Sequence, residues 1–357
     1  MHDASWQLCC PIDVPADADR ITLAHGEGGR LMRRLIEERI IPRFSENTSL
    51  VPGDAAVLPE VAGSLAFTTD SFVVSPLFFP GGDIGRLAVF GTVNDLVVAG
   101  AQPLWISLSL IIEEGLPVAV LERILDSIAD AAREASITVV TGDTKVVPRG
   151  TADGVFLNTT GIGRVIEPAP SGPQTIQPGD ELVVTGPIGR HGIAILAARE
   201  QLGFSPPPET DCAALLEPVT CLREASLLSG SDSSVRSMRD ATRGGVTAVL
   251  HEWAQACELT LTINELHIPI TPDVRGASEL LGLDPLHVAN EGTMLLATRS
   301  GTGQQVVEAL QQSAVSAQAA IIGKARPRTL APVTVLRMLG SEQPLDEPSG
   351  AMLPRIC

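Results

Sequence analysis

The chain has 357 residues, 44% of them hydrophobic and 19% charged, which is enough apolar material for about two packed domains and excludes wholesale disorder. Lys and Arg number 25 against 42 Asp and Glu, a formal charge of -17, and no basic run offsets it, so binding to a nucleic-acid backbone is not expected. With 3% aromatics and no Tyr there is no base-stacking platform.

Residues 1–20 read as an irregular extension. They lack the basic start and apolar stretch of an export signal. No apolar run approaches the roughly 18 residues that a membrane helix needs. The cysteines at 9, 10, 212, 221, 257 and 357 form no C-x-x-C pair, so neither a zinc site nor a thioredoxin motif is expected. The chain reads as a reduced, cytoplasmic protein.

A first domain is expected over 21–166. LMRRLIEERIIPRF (31–44) carries Leu31, Leu35, Ile36 and Ile40 on a helical stripe. LAFTTDSFVV (65–74) predicts a strand, and 84–101 a helix rich in small residues that ends at Gly100. A strand at 103–112 is followed by a helix over 118–136, with Leu121, Ile124, Leu125, Ile128 and Ala132 on one face. ITVVTGDT (137–144) and GVFLNTTGIGRV (154–165) predict two more strands. The stretch 167–181, with Pro168, Pro170, Pro173 and Pro178, is the domain boundary.

A second α/β domain is expected over 176–338. It opens with ELVVTGPIG, and its clearest helices are GIAILAAREQL (192–202) and GVTAVLHEWAQACEL (245–259). A strand follows at 292–298, then a helix at 301–312 and another strand. Residues 339–357 are proline-rich, show no periodicity and read as a mobile tail.

The first chemical constellation is a set of aspartates at strand ends and turns: Asp54, Asp70, Asp95, Asp143 and Asp240. Magnesium takes oxygen ligands, usually one or two carboxylates plus phosphate oxygens, and several carboxylates around a triphosphate would hold more than one ion. Asp54 and Asp143 read equally well as turn or capping residues. Asp95 falls inside an otherwise apolar helix and requires a partner there.

The second is AHGEGGR (24–30), where Gly28 and Gly29 precede a helix and would let backbone N–H groups approach phosphate oxygens. ATRGGV (241–246) repeats the pattern after Asp240. The alternative for each is an ordinary glycine turn. The third is Lys145, close to Asp143, with Glu291 in ANEGT. Lys145 can orient a phosphoryl group or act in acid–base work. A solvated lysine and a turn glutamate are the plain alternatives. The fourth is Cys357, the last residue, in PRIC. It is not a prenylation box.

Taken together, LAHGEGGRLM, GDAAVL, TTDSFVVSPLFFPGGDIGRLAVFGTVNDLVVAGA, TGDTKVV, RDATRGGV, ANEGT and PRIC make the chain resemble the hydrogenase maturation factor HypE family, from about Ile21 onward. That family belongs to the superfamily of aminoimidazole ribonucleotide synthetase, selenophosphate synthetase and thiamine-monophosphate kinase. The resemblance implies an α/β (α+β) two-domain fold, with a ferredoxin-like N-terminal domain that dimerises. It also implies ATP and Mg2+ as cofactors and the carbamoyltransferase HypF and the HypC–HypD complex as partners. The implied reaction is ATP-dependent dehydration of an S-carbamoyl group on Cys357 to a thiocyanate. By matching motif, Asp54, Asp70, Asp95 and Asp240 are implied metal ligands. Gly28, Gly29, Asn94, Asp95 and Asp143 are implied for ATP, with Lys145 and Glu291 beside the thiocarboxamide. The alternatives are another ATP-using superfamily member, a small-molecule kinase or synthetase, and a non-catalytic partner-docking module.

Overall fold

The computed structural model describes residues 19–44, 55–228 and 233–347. Asp54, Cys357 and the extension up to residue 18 lie outside them. The helical stripe at 31–44 folds as α1 (Arg30–Leu35), a π-type segment (Ile36–Ile40) and α2 (Ile41–Phe44). A four-residue 3-10 turn, Leu23–Gly26, precedes it.

The first domain continues with β1 (Leu65–Phe72), the short β2 (Phe78–Phe79) and β3 (Gly82–Asp83), α3 (Ile84–Val98), β4 (Ala101–Glu113), α4 (Val118–Glu134), β5 (Thr138–Val147) and β6 (Val155–Val165). Its main sheet has the order β1-β6-β4-β5. β4 and β5 are parallel, as their helical crossover α4 requires, and the other neighbours are antiparallel. Both helices cover one face, the two-layer arrangement expected of this domain. The alternation along β4 explains why: Ile106, Leu108, Leu110 and Ile112 are buried, while Ile111 is 40% exposed. Pro103 is tolerated in this strand beside a register shift between Pro103 and Trp105.

The amphipathic α4 buries Leu121, Ile124, Leu125 and Ile128. α3 is different, because it is buried on almost every side. Asp83 caps its N-terminus by accepting from the Gly85 and Arg86 N–H groups, and Ser127 Oγ donates to the same carboxylate.

The second domain runs β7 (Glu181–Val184), α5 (Arg190–Arg199), α6 (Leu216–Glu224), β8 (Val235–Asp240), α7 (Gly245–Cys257), β9 (Thr260–Asn264), α8 (Pro272–Leu281), β10 (Met294–Thr298), α9 (Gly303–Leu310), β11 (Ala320–Arg326), β12 (Val333–Leu336) and β13 (Glu342–Pro344). Its sheet order is β13-β12-β9-β11-β7-β10-β8. Sequence periodicity missed α6 and α8, which carry Pro218 and Gly276 inside short helices. The start and stop signals of α8 were nevertheless present: Pro272 at its first position and Gly282 beyond its end at φ 68°. The stretch read as a tail is tied down at its beginning. β13 pairs with β12, the Leu345 N–H donates to the Val333 carbonyl, and His251 Nε2 lies 2.9 Å from the Leu345 carbonyl. No described helix is long and apolar enough to cross a membrane.

One hydrophobic cluster spans both domains, joining Phe90 and Val93 of α3 to Leu215, Met294 and Leu296. Asn94 fastens this junction. Its Oδ1 accepts from the Leu215 N–H at 2.8 Å, and its Nδ2 donates to the carbonyls of Ala213 at 3.0 Å and Glu291 at 3.4 Å. The Asn94→Ala change leaves buried backbone groups unpaired and should cost on the order of 2–3 kcal/mol in denaturant unfolding. A midpoint equal to wild type would show that the junction does not depend on this amide.

Candidate active site

β1 and β8 bring their aspartates to the end of α3. Asp70 pairs in register with the buried Thr159, so it lies on the α3 side of the first sheet. Asp95, in the last turns of α3, has the partner its apolar surroundings demand: Thr68 Oγ1 donates to its Oδ2 at 2.6 Å. Asp240 ends β8 opposite Met294, with Arg239 Nε 3.8 Å from its Oδ1. Glu291 sits in the loop before β10 and is 4% exposed.

These carboxyls act on one another. Burial, then the charge of Asp95, lifts Asp70 to about 6, against the pull of Arg243 and Arg239. Burial and the charges of Asp95 and Asp70 lift Asp240 to about 7. Burial, then Asp240, Asp211 and Asp70, pushes Glu291 well above the ordinary carboxylate range, while Arg243 opposes them. Like charges in a desolvated cleft raise a neighbour's proton affinity, so Asp70, Asp240 and Glu291, with the charge of Asp95 acting on the two aspartates, form one electrostatic site. Among the described residues no three His, Cys, Asp or Glu side chains stand close enough to hold a metal ion by themselves.

Glu291 is fixed by residues that motif reading passed over. Asp211 Oδ1 accepts from the Glu291 N–H at 3.0 Å, and its Oδ2 accepts from the Gly292 N–H at 3.2 Å and from Thr293 Oγ1 at 2.8 Å. Asn290, fully buried, accepts from the Gly189 N–H and donates to the Ala241 and Val288 carbonyls. A Cβ on Gly292 would lie 1.8 Å from the Asp211 carbonyl oxygen, so only glycine fits there. Gly91 of α3 leaves room for a different neighbour: a Cβ there would come within 2.9 Å of the Phe72 ring.

Asp143 and Lys145 lie elsewhere in the chain. Both are on β5, the opposite edge of the first sheet from β1. Their register with Ser109 and Ile111 places them on the sheet face that no helix covers. They are more than half exposed, with Lys145 Nζ 3.9 Å from Asp143 Oδ2. The glycine turn belongs to this second group: a Cβ on Gly26 would meet the Val146 backbone at 2.5 Å, whereas nothing crowds Gly28, at φ 76°, or Gly29. Thus one chain gathers Asp70, Asp95, Asp240 and Glu291 on the α3 side, and Asp143, Lys145 and the glycine turn at the far edge. Asn94 lies by the first group with its amide committed to the backbone. A cavity of about 230 Å³ between α2, α4 and the start of β5 contains none of these residues.

The raised carboxyls carry a pH signature. Folded Asp240 holds its proton to about pH 7, while an ordinary aspartate releases it near 3.8, so the folded state binds more protons across that window. Stability therefore falls as pH rises through it. The Asp240→Asn variant, which carries no charge to repel, should gain on wild type by on the order of 1–4 kcal/mol between about pH 5 and about pH 8 in divalent-free urea melts. A stability difference that is constant with pH would contradict the electrostatic site.

The family model described as "AIR synthase related protein, N-terminal domain" matches residues 52–165, and its C-terminal counterpart matches 177–334. Carbamoyl dehydratase HypE of Escherichia coli (strain K12) is 43% identical over 344 residues, covering 95% of this chain and 100% of that protein. The crystal structure of hydrogenase maturation protein HypE in complex with ATP superposes with a TM-score of 0.87 at 38% identity, covering 94% of this chain and 99% of that one. A chain of the HypE–HypF complex matches with a TM-score of 0.76 at 39% identity over 88% of this chain and 99% of its own length. With both domains matched in order and relatives of this similarity over nearly its whole length, the chain belongs to the HypE family of AIR synthase related proteins.

Proposed function

We propose that this protein is an ATP-dependent carbamoyl dehydratase that converts an S-carbamoyl group on its own Cys357 to a thiocyanate, the source of the cyanide ligand of [NiFe] hydrogenase. The observation that carries the reading is Glu291, a buried carboxyl held beside three repelling aspartates at the junction of both domains. HypF, the partner in a related complex, would load the carbamoyl group, and the HypC–HypD complex would receive the cyanide. The cytoplasm is the compartment where such thiol chemistry stays reduced.

The chemical problem is a poor leaving group. The carbamoyl oxygen departs only after it attacks the γ-phosphorus of ATP, which releases ADP, while the amide nitrogen gives up one of its two protons to leave an iminophosphate. Loss of phosphate together with the remaining N–H proton then leaves a carbon–nitrogen triple bond. Such transfer depends on positioning and charge stabilisation more than on covalent help from the protein. Glu291, once ionised, would take the nitrogen proton, and Lys145 would supply the cation for the developing negative charge. Gly28, Gly29 and Asp143 would line the nucleotide, with Asp95 at its other side, while Asn94, buried with its amide bonded to the backbone, would serve by holding the junction beside it.

Asp70, Asp95 and Asp240 fit magnesium, because their mutual repulsion in a desolvated cleft is what a hard cation relieves. They would hold it jointly with phosphate oxygens and Asp54. When bound, magnesium neutralises phosphate charge and orients the triphosphate.

We further infer a homodimer. The uncovered face of the first sheet exposes Leu65 (54%), Phe67 (70%) and Ile111 (40%), apolar area of the kind that marks an interface. The sheet's two edges are β1, which carries Asp70, and β5, which carries Lys145. Face-to-face pairing about a two-fold axis running along the strands would set the β5 edge of one copy over the β1 edge of the other, and Lys145 and Glu291 would then serve one site from different copies.

Two experiments decide these readings. After carbamoylation by HypF, adding Mg-ATP should remove one water from the C-terminal peptide by mass spectrometry, and Cys357→Ala should abolish the change. An unchanged peptide mass rejects the dehydratase, and turnover by the Cys357→Ala variant favours the kinase or synthetase reading. For the shared site, Lys145→Ala and Glu291→Gln homodimers should each be inactive. Co-refolded mixtures should recover roughly a quarter of wild-type activity, because half the dimers would hold one intact site. No recovery would place both groups in one chain's site.

A further inference from the structure

The segment between α5 and α6 belongs to neither sheet, yet it touches every part of the junction. The Thr210 N–H donates to the Pro80 carbonyl of the first domain at 3.0 Å. Thr210 Oγ1 lies 2.8 Å from Nδ1 of the fully buried His191 on α5 and accepts from the Cys212 N–H at 3.1 Å. The backbones of Ala213 and Leu215 are held by Asn94 of α3. Between these anchors Asp211 directs both carboxylate oxygens at the loop carrying Glu291, using two backbone N–H groups and the Thr293 hydroxyl. The 1.8 Å approach that forbids a side chain on Gly292 shows how tightly the two segments are pressed together.

A carboxylate accepting three hydrogen bonds from consecutive residues removes the local freedom of that loop. The loop then has one placement relative to α3, because the same strap is pinned to Asn94 and Pro80. We propose that Asp211 is a positioning residue of the dehydratase: it sets where the Glu291 carboxyl stands relative to the nucleotide domain. The inference rests on the reading of Glu291 as the base.

The strap acts as a strut through which the first domain dictates the base's position. A base displaced by about 1 Å loses on the order of a hundredfold in rate while binding elsewhere is untouched. The effect of Asp211 therefore belongs in the chemical step and passes wholly through Glu291.

The test uses full-length protein carbamoylated by HypF. Single-turnover water loss is followed by mass spectrometry, and ATP affinity by calorimetry. Asp211→Ala should slow water loss by roughly 10- to 100-fold and leave ATP affinity within about twofold, the pattern of an interaction felt in the transition state. Glu291→Gln should be slower still. The double variant should be no slower than Glu291→Gln alone, because the strut has nothing left to position. Asp211→Asn keeps the shape and one acceptor, and it carries the same comparison if the alanine variant does not fold. Multiplicative losses in the double variant, or a matching loss of ATP affinity, would make Asp211 a general structural residue and overturn the proposal. Full-rate Asp211 variants beside a slow Glu291→Gln overturn it and leave the base standing. A wild-type rate for Glu291→Gln removes the base itself.

Discussion

Mutual repulsion of carboxylates in a place with little water is the constraint around which this molecule is built. Asp70, Asp95, Asp240 and Glu291 come from different elements, and their charges oppose one another: Asp95 raises the cost of ionising Asp70 and Asp240, and Asp70 and Asp240 raise that of ionising Glu291. They stay together because the scaffold over-determines their positions. β1 is paired along its whole length with β6, β8 is an edge strand locked to β10, and the Glu291 loop is tied by both Asp211 and Asn290. The scaffold thus stores an electrostatic cost in the free protein.

α3 makes this possible. An ordinary surface helix buries one stripe, whereas α3 packs against the first sheet, α4 and the second domain at once. Its polar residues are therefore all spoken for: Asn94 binds the strap backbone, Asp95 takes the Thr68 hydroxyl, and Thr92 faces Thr159 at 2.5 Å. Small residues such as Gly91 let neighbouring groups approach its axis. The two domains consequently share one core instead of meeting across a water-filled hinge.

Much of this was legible in the residues. The helix over α4 follows from apolar periodicity, and an aspartate inside the apolar stretch that forms α3 called for a partner before any fold was known. The family resemblance picked out Asp70, Asp95, Asp240 and Glu291, which the fold gathers. What could not be read was which face of which strand each residue occupies. Lys145 and Glu291 stand on opposite sides of the first sheet because β5 is its far edge, and strand order is a long-range property that no local pattern encodes. Asp211 was invisible for a related reason. It lies in an irregular proline-rich stretch, SPPPETDC, and its role comes from residues some 80 positions away.

The edge strand β13 bears on how the fold opens. Leu345, just beyond it, is held through both its N–H and its carbonyl, by Val333 of β12 and by His251 of α7. A short edge strand ordinarily frays first. Here its release also requires the contact with α7 to break, so this end of the second sheet opens together with a core helix instead of peeling away alone.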